Sequence, residues 1–555
     1  MDKALVSSTI TPRRSTWIQR GPGRSFADIT VYSSLLLVLA LSFGSQPLRA
    51  QSSKNATPQK LPSAEKIVEG YFKAVGGKRR LAPIRDATYE WTIHLSGQPI
   101  GTAKTQVKSP ASLRSEMTFG NGQIISGANP ASAWVWGLDK RLLTLTGPDA
   151  ASAKLQALLT ASHLIDYKKL NVMPRVIALG DLSSQPAYIV EFSTRAGARL
   201  RYWFSLQSNL LVMVEDEARK TTTRFGDYKS TTGQLPLEPH LVQLKTGDGE
   251  LTFRLQRATY NTNIPNSLFD PPRSEEALDV VSLLREVARN QETVEKRISE
   301  YAFFQKETDR EINGKGELKK EKTRVYEVFP VSHHAPIRKL ISENGDVLGG
   351  ERAAKEAQRV DEELVKVERE REKTEEKVAR RKAARMKQQS GNGGAEPDED
   401  PTISQFLKVC EFVSPRRERF NDREAIVFDF RPRPGFKPGN RSESLIAKLI
   451  GVAWIDPVDK QVMRLEAKLA EGFKMAGGLV LSLRPGAGFV MEQTRMAEGI
   501  WLPRFAHVNL SVKVFLFRGI DVNKTIEWSD YKHFKGDVND YKLDAPQAEL
   551  PEKPR

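Results

Sequence analysis

The sequence holds a single cysteine, Cys410, in 555 residues. An internal disulfide is therefore excluded, and the fold depends on burial. Histidine is also scarce, and neighbours such as His333-His334 point apart on a strand or loop, so no metal ligand is expected. No Gly-x-Ser-x-Gly elbow, Walker loop, dinucleotide fingerprint or His-Glu-x-x-His pair occurs. Catalysis thus has no handle in the sequence; no catalytic residue and no cofactor are expected, and the protein is not read as an enzyme. Cys410 precedes Glu411 in a strand-like stretch without an activating histidine, as a buried thiol does. Asp456 and Asp459 flank Pro457 in a hairpin turn, and turn chemistry accounts for them. The net charge is +16, but Lys and Arg are interleaved with Asp and Glu and form no basic stripe, so nucleic acid is not an expected partner.

Long apolar runs are lacking too. Val31–Phe43 is shorter than the roughly 20 residues of a bilayer-spanning helix and matches the roughly 7–15 of a signal-peptide core. A segment carrying Arg13, Arg14, Arg20 and Arg24 precedes it, and polar residues follow to Ala50. The segment 1–50 therefore reads as an export signal, cleaved near Ala50 or kept as an N-terminal anchor, which puts the protein in the periplasm or cell envelope. Residues 51–61 have the composition of a tether.

The chain is too long for one core, since single cores stop growing at about 250–300 residues. Two domains are expected, at 62–272 and 273–535, with a flexible tail at 536–555. The first opens with an amphipathic helix over Ser63–Val75, ended by Gly76-Gly77. The period then changes to two: Ala87, Tyr89, Trp91, Ile93 and Leu95 alternate with polar residues, as do Leu200, Tyr202, Phe204 and Leu206, and Leu251, Phe253 and Leu255. Turn residues at Ser96-Gly97, Gly120–Gly122 and Thr246–Gly249 make this an antiparallel meander. Residues 151–170 read as a helical interruption, and the proline pair of Asn266–Pro272 closes the unit.

A second cycle begins at Ser274 with a helix whose face is Leu278, Val281, Leu284 and Val287. Short strands are expected at Val325–Phe329, Ala425–Phe430, Gly451–Ile455, Gln461–Leu469 and Val508–Phe517. Between them, 350–388 has Glu-to-Lys or Arg spacing of four, as in Glu362/Lys366 and Glu376/Arg380, and reads as a long solvated helix. Its apolar seam, Ala353, Ala357, Val360, Leu364 and Val367, breaks at Arg371 and Thr374, short of a sustained coiled coil. Residues 389–402 have linker composition.

The halves share a pattern. Trp203–Glu215 lies on Trp454–Glu466 without a gap, Trp on Trp and Glu on Glu, as two hairpins of the same register. Gly233–Pro236 has a counterpart in Gly499–Pro503, each followed by two strands and a tyrosine. On these segments, with the helix ending in Gly-Gly and the Asn266–Pro272 closure, the chain resembles the bacterial outer-membrane lipoprotein-sorting (LolA/LppX-like) superfamily, clearly over 62–272 and more faintly over 274–535. The resemblance implies a mainly β (α+β) fold: two tandem, strongly curved antiparallel half-barrel sheets, each with covering helices. The long charged helix is an insertion in the second. It also implies a concave face that accepts acyl chains.

An acyl carrier needs a dry hollow lined by the inward set of side chains. The candidates are Tyr89, Trp91, Ile93, Tyr202 and Phe204 in the first domain and Trp454 in the second; Trp134 and Trp136 line either a pocket or an exposed contact surface. The same residues also suit plain core. Two readings follow: a non-enzymatic envelope carrier of lipid or lipoprotein acyl chains with transient membrane contact, or a scaffold with a filled core that meets an envelope partner through 350–388.

Overall fold

The computed structural model describes residues 61–230, 235–273, 278–298, 300–313, 317–330, 336–385, 403–470, 473–475, 481–483, 486–496, 499–514 and 520–533. The leader expected over 1–50, the tether to residue 60, His333-His334, the end of the charged segment with the linker at 386–402, and the tail at 536–555 lie outside the described residues.

Two large antiparallel sheets make up the fold, and neither closes into a barrel. Across the first the order is Leu142–Thr144, Ala133–Trp136, Gly122–Ala128, Ser112–Phe119, Gln98–Lys108, Asp86–Leu95, Gly249–Tyr260, Leu237–Thr246, Thr221–Ser230, Leu211–Asp216, Arg199–Ser205, Gln185–Ser193 and Met173–Leu182. Its first strand thus pairs with its last in the middle of the sheet. The second sheet repeats that plan: Asp346–Val347, Ile337–Glu343, Leu318–Phe329, Tyr301–Ile312, then the final strand Ile520–His533, then Trp501–Val514, Gly488–Arg495, Gln461–Leu469, Leu449–Asp456, Arg423–Pro432 and Cys410–Phe420. Ser96 and Gly97 both take positive φ, as a two-residue hairpin turn requires.

The hairpin repeat holds residue by residue. Trp203 lies opposite Met213 and Trp454 opposite Arg464; Tyr202 faces Val214 as Ala453 faces Leu465; Arg201 faces Glu215 as Val452 faces Glu466. The first pair lies within the overlaid segments, and the other two extend the same offset to the residues just before them.

The helix Ala64–Ala74 is capped by Ser63, whose hydroxyl accepts from the Lys66 amide. Its Ile67, Val68 and Phe72 bury against Val190, Phe192, Leu200, Tyr202 and Phe204. The helix Gly147–Ala161 adds Leu155 and Leu159 to the same core. In the second half the helix Val280–Ile298 sets Val280, Leu283, Leu284 and Val287 on Ile426, Phe428, Ala453 and Ile455. Its buried stripe therefore differs from the expected one: Val281 stands exposed, and Leu283 takes the inward place beside Leu284. The helix Gly350–Arg385 lies against Ile337–Glu343, and its Val360, Leu364 and Val367 pack on Ile337. That part of the apolar seam is used inside the chain. Among the described residues no helix is long and apolar enough to cross a membrane.

The sheets meet through a buried polar joint. The Arg416 guanidinium donates to Glu418 (2.8 Å), Asp429 (3.0 Å) and the Thr144 hydroxyl (2.7 Å). Glu418 also accepts from the Thr144 amide (2.8 Å) and hydroxyl (2.6 Å), and Asp429 from the Ser132 hydroxyl (2.5 Å). Every charge here is paired and hydrogen-bonded, the condition under which buried ions are tolerated.

Candidate functional site

Directly opposed residues of antiparallel strands share a face, so the registers sort the side chains. In the first sheet Ile93 lies opposite Phe253 and Phe253 opposite Val242; on its other flank Ile93 faces Gly101, which faces Phe119, while Trp91 faces Ala103, which faces Met117. The outcome is one apolar strip. Ile93, Ala103 and Phe253 are buried at its centre, and Trp91, Met117, Phe119, Val242, Leu244 and Leu251 are half-buried around them. No helical residue belongs to this cluster, although Tyr202 and Phe204, on the same face, are sealed beneath Ala64–Ala74.

At one end of the strip the chemistry turns polar. The Tyr89 ring lies 6.1 Å from that of Trp91 and 6.2 Å from that of Tyr260. The hydroxyls of Tyr89 and Tyr260 both donate to Oε1 of Glu238, at 3.0 and 3.5 Å. Burial pushes the Glu238 carboxyl up to about 7, and the two phenol hydrogen bonds only partly offset that rise. Burial, then the neighbouring Glu238 charge, holds the Tyr89 phenol well above its ordinary value.

The remaining candidates do not converge on the strip. Ala87, Val107, Leu113, Ala128 and Ala133 form one ladder on the face of Tyr89, so Trp134, next in chain to Ala133, points to the other face, and Trp136 with it. Trp134 is fully buried there: its indole donates to the Phe269 carbonyl at 3.2 Å, and its ring lies so close to Gly127 that a Cβ would come within 2.4 Å. Trp454 alternates with Ala453 and Ile455, which lie under Val280–Ile298, and so packs on the reverse side with Ala425, Val427, Val452, Met463 and Trp501. Tyr89, Trp91 and Ile93 alone of the eight belong to the strip and its polar end.

The matching face of the second sheet is charged. Ala453, Leu465, Met491, Ala506, Ile526, Glu307 and Arg324 form one continuous ladder, joining the helix-covered core to an ion-pair network. Arg338 and Lys524 both pair with Glu307, the latter at 3.0 Å, and Arg324 pairs with Asp309 at 2.7 Å. Burial would raise the Glu307 carboxyl, but Lys524 and Arg338 outweigh it and hold the group below its ordinary value. A cleft of about 450 Å³ opens between these strands and the long helix, lined by Lys322, Arg324, Tyr326, Arg338, Glu356 and Arg359 among others.

Sequence reasoning did not single out Glu238, Tyr260, Met117 or Phe119. A lone glutamate just beyond Leu235-Pro236 reads as solvated, and only the register that brings two phenols onto it marks it otherwise.

No protein-family model matches the chain, and no curated protein matches it. Solved structures do. A LolA superfamily protein of Nitrosomonas europaea aligns at 12% identity and a TM-score of 0.27, over 38% of this chain and 98% of that one. A lipoprotein-sorting domain described as putative and of the outer membrane, from Vibrio parahaemolyticus, aligns at 12% identity and 0.25, over 37% and 97%. The complex of MucA and MucB from Pseudomonas aeruginosa aligns at 8% identity and 0.16, over 84% and 94%.

Proposed function

We propose that the strip on the first sheet binds acyl chains, and that the protein is a non-enzymatic lipid- or lipoprotein-binding carrier of the cell envelope. The observation that carries this reading is the strip itself: seven half-buried apolar side chains, Ile100 among them, surround three buried ones on a face that helices cover elsewhere. Each methylene moved from water onto such a surface contributes about 0.8 kcal/mol, so about ten of them supply about 8 kcal/mol before the cost of ordering the chain. In this reading the sheet curves as an open half-barrel around the cargo, the chain is exported, and membrane contact is transient. A partner protein in the envelope would meet the outer side of Gly350–Arg385, because Val360, Leu364 and Val367 are taken up by the sheet.

The test is to isolate the full chain from the envelope of a bacterial host, extract it with organic solvent and analyse the extract by mass spectrometry. Stoichiometric lipid in the wild type, reduced several-fold in Met117→Glu, supports the carrier. A lipid-free wild type that also takes up no acyl ligand in solution removes it.

A further inference from the structure

Glu238 is an unusual group to find at the end of an apolar strip. Its Oε1 accepts both phenolic hydrogens, and among the described residues its Oε2 makes no hydrogen bond. No Lys, Arg or His among those residues pairs with the carboxylate; His240, two positions along the strand, bonds the Glu238 backbone carbonyl instead, at 3.1 Å. Tyr71 of the covering helix and Tyr228 of the neighbouring strand lie around it and both feel its charge, while Lys229, opposite Glu238 in the register, is exposed and pairs with Asp227 at 2.8 Å. The Tyr228 hydroxyl is already committed to the Leu211 carbonyl at 2.7 Å. The polar end therefore offers hydrogen-bond acceptance from a carboxyl and phenols, and among the described residues no cation pairs with that carboxyl.

We propose that the Tyr89–Tyr260–Glu238 cluster reads the headgroup of the lipid whose acyl chain lies in the strip, accepting an uncharged hydroxyl-bearing headgroup of the monoacylglycerol kind and rejecting anionic ones. This rests on the acyl-binding reading. A glycerol hydroxyl can donate to Oε2 without disturbing the two phenols, whereas a carboxylate or phosphate would be desolvated against a carboxylate with no counter-ion. Two like charges a few ångströms apart in a partly dry site repel by more than 1.4 kcal/mol, which corresponds to at least about ten-fold in affinity. The matching face of the second sheet differs, because the cleft there is lined by cations paired with carboxylates, Lys322, Arg324, Arg338 and Arg359 beside Glu343, Glu356 and Glu363.

Calorimetric titration of the full chain with monodecanoylglycerol and with decanoate, which share an acyl chain, tests the proposal. At about pH 8 the glycerol ester is expected to bind at least about ten-fold tighter. At about pH 5.5, below the value of about 7 at which Glu238 titrates, the gap should narrow in the wild type, with no variant needed. Glu238→Gln should bring decanoate at pH 8 to within a few-fold of the ester. Equal binding of the two ligands by the wild type at pH 8, or a preference that neither low pH nor Glu238→Gln alters, overturns the headgroup role and leaves acyl binding standing. Binding of neither ligand at either pH overturns the acyl reading and this one together.

Discussion

The same face of the two sheets carries opposite chemistry. Where the first has Trp91, Ile93 and Phe253 beside a polar end without a cation, the second has Glu307, Asp309, Arg324 and Lys524 in one ion-pair network. The strand order and the hairpin register are nevertheless shared. A β-ladder is closed by backbone groups, so its register survives wholesale exchange of side chains as long as the in–out alternation is kept. Two sheets of one plan can therefore keep the scaffold while the side chains on each face differ. In the second half that difference goes with the long helix Gly350–Arg385, which lies over the charged strands.

The comparison can be broken most severely at the joint. Arg416→Met leaves Glu418 and Asp429 buried without their cation, and should cost about 3–5 kcal/mol in urea unfolding, separating one transition into two. Next come the matched tryptophans: Trp454→Ala should cost about 3–5 kcal/mol, as a fully buried indole does, and Trp203→Ala clearly less, because Trp203 is half-exposed and anchored by one bond to Glu215 (2.9 Å). The order of the two urea midpoints checks this.

The two buried carboxyls should respond to pH with opposite signs. Glu238 is raised from 4.5 to about 7, so the folded state holds its proton more tightly; its contribution is full below 4.5 and falls as pH rises through 7, by at most about 1.4 kcal/mol per pH unit. Glu307 is lowered, so its contribution is present above 4.5 and is lost as pH falls below it. Urea midpoints of Glu238→Gln and Glu307→Gln between about pH 4 and about pH 8 should each lose one of these slopes. The smallest effect belongs to the inserted helix, where Lys355→Ala removes an exposed pair with Glu351 and should shift stability by no more than about 0.5 kcal/mol.

The strands and the repeated hairpin were readable because alternation and turn residues are local signals, as at Tyr89–Ile93 and Ser96-Gly97. The direction of Trp134 was not, since either face of a four-residue strand can be the buried one. Trp454 has the same difficulty: both sides of its strand are packed, so the side chain's bulk says nothing about which side faces the helix. Glu238 and Tyr260 are distant in sequence from Tyr89, and only pairing of the first strand with the last brings them together. On the helix Val280–Ile298 the expected face holds at Leu284 and Val287 but not at Val281, because a spacing of three drifts round a helix of 3.6 residues per turn and the buried stripe runs Val280, Leu283, Leu284, Val287.

That central pairing has a consequence for how the protein is made. Glu90 finds Arg257 across 167 positions, and Arg310 finds Thr525 across 215. A nascent chain emerging from its N-terminal end thus presents the bare margin of Asp86–Leu95 long before its mate has been synthesised, and the second half then repeats the wait. Sheets closed by such distant partners assemble slowly and expose unpaired margins meanwhile.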